Sequence, residues 1–213
     1  MERLICIIIG YAFGLFQTGY IYGMIRHVDI RKHGSGNAGT TNALRTLGWK
    51  AGVITFLGDC LKCVLAVLVV RLIFAGHESV QLLAMYSGLG AVLGHNYPFY
   101  LNFKGGKGIA STAGLILAIH PVMFLTIAIV FVTILLITKY VSLGSLVIMV
   151  LFVIEVILFG QNGEFGITGT HLMEFYGIAI LLAALAFYRH RENIKRLLTG
   201  TENKTDVTKI GKK

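Results

Sequence analysis

The chain is poor in charge, and poorer still in acid. Only 14% of its 213 residues are charged, with 10 Asp and Glu against 19 Lys and Arg. An ordinary soluble domain carries about a quarter charged residues, so that class is excluded. No carboxylate cluster suggests a magnesium site, and no cofactor is expected. Cysteine is scarce: Cys6, Cys60 and Cys63. Cys60 and Cys63 match C-x-x-C, but a redox or zinc reading needs a thioredoxin-like surrounding or a second ligand pair, and neither is present. Their place in an apolar run predicts membrane packing. There is no repeat, no second domain and no low-complexity tract. What abounds is apolar: 55% of the residues, with a mean hydropathy of +0.76. The net charge of +9 then reads as the positive-inside rule, and no nucleic-acid partner is expected.

A helix crosses a bilayer with about 20 apolar residues. The sequence predicts an all-α, polytopic membrane protein with seven spans, some short: Leu4 to Ile25, Ala51 to Phe74, Val80 to Leu93, Ile109 to Ile119, Pro121 to Thr138, Leu143 to Phe159, and Leu172 to Phe187. The first resembles a signal peptide but lacks a small-residue cleavage site and is long for one, so an uncleaved span is expected. Gly108 to Thr138 would be about 45 Å long as one helix, too long for the hydrocarbon layer. His120-Pro121 lies in its middle, and proline disfavours helix at the residue before it. Splitting there places the N-terminus outside and the C-terminus in the cytoplasm. Arg26, Arg31, Lys32, Arg45, Lys50, Lys104, Lys107, Lys139 and the tail from Arg189 then lie inside, and Glu78 and Glu164 outside. Six spans would move Lys139 and the tail outward, against the rule. Residues 1–200 are expected to form one membrane domain, and residues 201–213 a mobile, basic cytoplasmic tail near anionic lipid.

Three polar segments fall on the same face in this topology: Gly34 to Arg45, Gly94 to Gly108, and Tyr188 to Asn193. Two tempting motifs are rejected. Gly34-Ser35-Gly36-Asn37-Ala38-Gly39 fits G-x-G-x-x-G, with Asp59 20 residues on, but a membrane span precedes it rather than a strand. Gly106-Lys107 lacks the P-loop glycine five residues earlier and the Ser or Thr after it. What remains is a cationic, glycine-lined anion site. Glycines let backbone N–H groups approach an anion. Ser35, Thr40 and Thr41 add hydroxyls, and Asn37 and Asn42 add amides. Arg45 can clamp a phosphate in bidentate fashion, and Lys107 adds a point charge. His190 and Asn193 share one face if the last helix continues past the membrane. Asp59 and Lys62 read as a structural pair.

Other readings compete at single positions. The glycines could be loop punctuation, and Arg45 a topology signal. Lys104 reads as a surface charge more readily than Lys107. His95 could cap a helix or orient the loop. Capping accounts for one of Ser142 and Ser145. Glu155, deep in the sixth span, needs a partner or a proton.

These residues resemble the bacterial acyl-phosphate glycerol-3-phosphate acyltransferases, the PlsY family. The resemblance covers nearly the whole chain. It rests on Ser35-Gly36-Asn37 with Asn42 and Arg45; Asp59-x-x-Lys62; Gly94-His95 with Pro98 and Phe103-Lys104-Gly105-Gly106-Lys107-Gly108; Tyr140 to Leu143; and His190-Arg191-Glu192-Asn193 through Gly200-Thr201-Glu202. Cys63 stands where the family often has glycine, and Ala38 where proline is common; neither change removes a polar site residue. The resemblance implies a seven-span inner-membrane enzyme with a cytoplasmic site. It implies acyl transfer from acyl phosphate to the 1-hydroxyl of glycerol 3-phosphate, giving lysophosphatidic acid and phosphate. It also implies a functional link to the acyl-carrier-protein-dependent enzyme that makes acyl phosphate, and an acyl tail lying among membrane lipid and spans.

By the same resemblance, Ser35, Arg45, Lys107, His190 and Asn193 are catalytic. Gly36, Asn37, Thr41, Asn42, Lys104, Gly105, Gly106, His95, Ser142 and Glu202 bind substrate, and Asp59 and Lys62 shape the pocket. His190 is a candidate base, and a substrate phosphate is the alternative. Ser35 has no triad partner to make it a nucleophile. The His-x4-Asp pattern of soluble-type glycerolipid acyltransferases is absent. An anion transporter would place its site near the midplane between repeated halves. A non-catalytic scaffold would leave the three polar blocks without a purpose.

Overall fold

A computed structural model describes residues 1–205; the end of the expected tail, 206–213, lies outside the described residues. The described residues are mainly helical, with longer connections at 26–39 and 97–108: α1 Glu2–Gly14, α2 Thr18–Ile25, α3 Thr40–Leu47, α4 Trp49–Ile73, α5 Val80–Asn96, α6 Ile109–Ile119, α7 Pro121–Thr138, α8 Val141–Gln161, α9 Gly169–Arg189 and α10 Arg191–Leu198. Five stretches are long and apolar enough to cross a membrane: Glu2–Ile25, Trp49–Ile73, Pro121–Thr138, Val141–Gln161 and Gly169–Arg189. The chain forms two compact units, residues 1–119 and residues 120–205.

In the first unit α4 packs against α1, α2, α3, α5 and α6, and α1 lies along α5. The α1–α5 contact is backbone on backbone. Gly10 and Gly14 sit four apart on α1, and Gly90 and Gly94 four apart on α5. A β-carbon at any of them would overlap the other helix's main chain, at Ser87, Ala91, Ile7 or Tyr11. Small residues one turn apart let membrane helices approach this closely. Arg71 closes the far end of α6. Its Nη1 donates to Ala118 O (2.8 Å) and its Nη2 to Gln81 Oε1 (2.8 Å), while Gln81 Nε2 donates to Ile119 O (3.3 Å). Two of the carbonyls that a helix end leaves unpaired are thereby satisfied.

The expected first span is two helices. The chain leaves the helix between Gly14 and Thr18, freeing carbonyls that three side chains take up. Lys62 Nζ donates to Phe16 O (2.7 Å) and Gly14 O (3.2 Å), Gln17 Nε2 to Gly14 O (3.2 Å), and Tyr100 Oη to Leu15 O (2.6 Å). Irregular backbone at this depth needs partners inside the protein.

In the second unit α8 packs between α7 and α9, and α10 touches α8 and α9. The break at His120 is present as expected. Pro121 opens α7, and the His120 side chain accepts from Met123 N. Its ring meets Phe159 edge-on at 4.5 Å between centroids. Of α7 only Met123 and Ile127 are buried; Val122, Leu125, Ile129, Val132, Leu136 and Ile137 are exposed, as lipid contact requires, while the Phe131 ring lies against Gly144 of α8. Glu155 accepts a hydrogen bond from the Thr126 hydroxyl, and its Oε2 is buried without a hydrogen-bond partner.

Two further expectations are corrected. The last helix does not run on: α9 ends at Arg189, His190 is the joint, and α10 starts at Arg191. The start of the tail is docked, not loose. Glu202 and Thr205 are buried, and Thr205 N donates to Lys139 O at 2.8 Å.

Candidate active site

The first polar segment is a loop with a buried underside and an open top. Ile30, Ala38 and Ala43 are buried beneath it, and Ile30, Ala43 and Ala51 form a core cluster with Tyr22 and Leu47. Gly34 and Gly36 turn the chain with φ of 60° and 71°, a region other residues enter at a cost. Asn42, on α3, holds the loop from below. Its Oδ1 accepts from Ser35 N (2.8 Å), and its Nδ2 donates to Ile30 O (2.7 Å) and His33 O (3.0 Å). Asn37 Oδ1 accepts from Gly39 N (2.9 Å), an Asx turn leading into α3 at Thr40. Ser35, Gly36 and Arg45 are exposed, while Asn37 and Thr41 are half-buried. The open residues are the ones able to receive an anion. Asn42, expected among the substrate-binding residues, holds the loop with both ends of its amide.

Arg31 stiffens the approach to this loop. Its Nε and Nη2 clamp Asp29 at 3.0 and 2.9 Å, and its guanidinium lies 4.5 Å from the Tyr20 ring centre. That hydrogen-bonded guanidinium holds the Asp29 carboxyl below the usual carboxylate range.

The second segment lies over a buried polar triad. Lys62 Nζ is 3.0 Å from Asp59 Oδ1 and 2.8 Å from His95 Nδ1. Thr18 Oγ1 donates to the same Asp59 oxygen at 3.1 Å. All three members of the triad are at most 4% exposed. The expected Asp59–Lys62 pair is formed, and it includes a histidine that spacing along the chain did not reveal. His95 does not cap α5. The glycine loop is tied directly onto this support: Gly106 N donates to His95 O (3.0 Å) and Gly105 N to Asn96 O (3.1 Å). Lys104 is exposed and Lys107 half-buried, and Gly108, with φ 84°, leads into α6.

In the second unit His190 is buried with Nδ1 2.8 Å from Ala186 O. A carbonyl only accepts, so Nδ1 carries the hydrogen; when the ring is neutral, the lone pair is then on Nε2. Asn193 Nδ2 donates to Glu202 Oε1 (2.9 Å), and Arg196 Nε donates to Glu202 Oε2 (2.8 Å). Glu202, expected among the substrate-binding residues, has its two oxygens held by Asn193 and Arg196, fixing the Asn193 amide. Neither Ser142 nor Ser145 caps α8. Ser145 donates back to Val141 O (2.9 Å), while the Ser142 hydroxyl is buried with no hydrogen-bond partner. The three thiols are free and buried.

Comparison with known proteins shows the family. The family model described as glycerol-3-phosphate acyltransferase matches residues 4–200. A glycerol-3-phosphate acyltransferase of Alkaliphilus metalliredigens (strain QYMF) is 43% identical over 205 residues, covering 96% of each chain. One from Clostridioides difficile (strain 630) is 44% identical over 203 residues, covering 94% of each. Among solved structures, PlsY, an integral membrane glycerol 3-phosphate acyltransferase, matches in its glycerol 3-phosphate form with a TM-score of 0.83 and 35% identity, covering 98% of each chain. Its lysophosphatidic acid form matches with a TM-score of 0.81, again at 35% identity, covering 98% of this chain and 97% of that one. Sequence over nearly the full length and helical architecture thus agree: the chain belongs to the PlsY family of glycerol-3-phosphate acyltransferases, multi-pass helical enzymes of the membrane.

Proposed function

We propose that this enzyme takes its acyl group from acyl phosphate and places it on the 1-hydroxyl of glycerol 3-phosphate. The C1 oxygen attacks the acyl carbonyl carbon and the carbonyl carbon–oxygen bond to phosphate breaks. Lysophosphatidic acid forms and inorganic phosphate leaves. The donor is a mixed anhydride, already activated. The protein's task is to hold two phosphates close together and to stabilise the charge that develops.

The observation that carries this reading is the exposed Ser35–Gly36 turn, held from below by Asn42 of α3, the helix that also carries exposed Arg45 one turn on. Backbone and hydroxyl donors with a guanidinium are the groups a phosphate dianion needs. Ser35, Arg45 and Lys107 in the first unit are assigned to phosphate binding and charge stabilisation, supported by Gly36, Asn37, Thr41, Lys104, Gly105 and Gly106. His190 and Asn193 in the second unit are assigned to the same reaction, with Ser142 contributing its hydroxyl. The attacking hydroxyl's proton goes to a substrate phosphate oxygen or to His190 Nε2.

The positive-inside rule supports seven spans with the site on the cytoplasmic face of a bacterial inner membrane, because the basic segments fall together in that topology. The enzyme then draws its donor from the acyl-carrier-protein-dependent phosphate acyltransferase. Purified protein in lipid, given palmitoyl phosphate and glycerol 3-phosphate, should release phosphate and lysophosphatidic acid. Product from acyl-CoA or from acylated acyl carrier protein, and none from acyl phosphate, would overturn the donor assignment.

A further inference from the structure

The Lys62 ammonium has three hydrogens and four near neighbours. Phe16 O (2.7 Å), His95 Nδ1 (2.8 Å) and Asp59 Oδ1 (3.0 Å) are the shorter contacts. Gly14 O, at 3.2 Å, already accepts from Gln17 Nε2. With the ammonium donating, Nδ1 of His95 must carry a lone pair, so its hydrogen sits on Nε2. That nitrogen lies against Gly106: a β-carbon there would overlap the His95 ring at Nε2, and one at Gly105 would overlap His95 O. The His95 carbonyl also anchors Gly106 N. Ring and carbonyl together form the floor under the glycine turn that precedes Lys107.

We propose that His95 is a positioning residue, locked by Lys62 as its Nε2–H tautomer, which sets the depth of Gly105 and Gly106 and so the aim of Lys107. It works from behind the loop and does not touch substrate. Asp59 balances the Lys62 charge, and Gln17, donating to His95 O at 3.1 Å, holds the carbonyl half of the floor. Glycine at 106 follows from the ring, because no larger residue fits over it. This inference rests on the acyl-phosphate reading only for its kinetic test.

Two measurements test it. The first is the imidazole nitrogen spectrum of the full chain in lipid, labelled at histidine, with the His95 signal assigned from His95→Asn. The expected result is the Nε2–H tautomer, changing in Lys62→Met. An Nδ1–H tautomer in the wild type would overturn the proposal, even where Lys62→Met does not fold.

The second is a double-mutant cycle on His95→Ala and Gly106→Ala. Each alone should raise the KM of one phosphate substrate about tenfold. Adding Gly106→Ala to His95→Ala should cost less than threefold more, because the overlapping ring is gone. Full additivity would show that His95 and the loop act independently, as in direct substrate contact. A purely structural role would lower the active fraction, and with it kcat, leaving both KM values in place. Absence of turnover in the wild type would remove the acyltransferase reading, while the imidazole spectrum would still decide the proposal.

Discussion

Asn42 Oδ1 accepts from Ser35 N at 2.8 Å, joining the first turn of α3 to the loop it supports. The same amide donates to the buried carbonyl of Ile30 and to that of His33. Asn42→Ala leaves three backbone groups without this partner. It should lower stability by about 1–3 kcal/mol and raise KM for a phosphate substrate. Asn42→Asp should be no better, because a carboxylate would face two carbonyls. Thermal unfolding in detergent together with steady-state kinetics checks both.

His190 donates from Nδ1 to Ala186 O at the joint of α9 and α10. His190→Asn can keep a donor near that place but loses Nε2. If Nε2 takes the proton, kcat should fall by about 10² or more while the fold and both KM values hold. Retained kcat in a well-folded variant would assign the proton to a substrate phosphate.

The Asp29–Arg31 clamp predicts a pH dependence. The folded carboxyl titrates below its unfolded value, near 3.9, because Arg31 holds it ionised. Between the two values the unfolded chain binds more protons, so stability rises with pH there. The contribution is complete above about pH 5 and is lost as pH falls through the folded value. Asp29→Asn should remove it, seen as a Tm deficit that disappears in acid.

Gly90 and Gly177 should behave oppositely, though both lie inside helices. A side chain at Gly90 would overlap the α1 backbone at Ile7, whereas nothing lies within 4 Å of a β-carbon at Gly177. Gly90→Leu should abolish folded protein. Gly177→Ala should raise stability by up to about 1 kcal/mol. Yield and Tm in matched detergent separate them.

Much of this was legible in the sequence because a bilayer leaves few choices. Helix α6 at Ile109–Ile119 and helix α7 at Pro121–Thr138 have the expected bounds, since Pro121 can open a helix but not continue one. The gap between α1 and α2 was not legible. Gly14, Leu15 and Phe16 read as one apolar run, and the break depends on Lys62, Gln17 and Tyr100 reaching its carbonyls from elsewhere in the chain. The kink at His190 was hidden because Arg191 to Leu198 continues a helical pattern. Around the polar blocks, residue types such as Ser35, Arg45 and Lys107 can be listed from the sequence. The hydrogen bonds made by their neighbours cannot: Asn42 holds the Ser35 loop, and Glu202 holds Asn193. Which polar groups a side chain uses up is a tertiary fact, and spacing does not carry it.

The central claim is that the Ser35–Arg45 loop serves acyl transfer from acyl phosphate. The most direct test is turnover of palmitoyl phosphate and glycerol 3-phosphate by purified enzyme in lipid, beside Arg45→Ala. Arg45 is exposed on α3, so the variant should fold. The account predicts lysophosphatidic acid and phosphate in equal amounts from the wild type, and turnover lower by at least about 10² in Arg45→Ala. Undiminished turnover in the variant would contradict it.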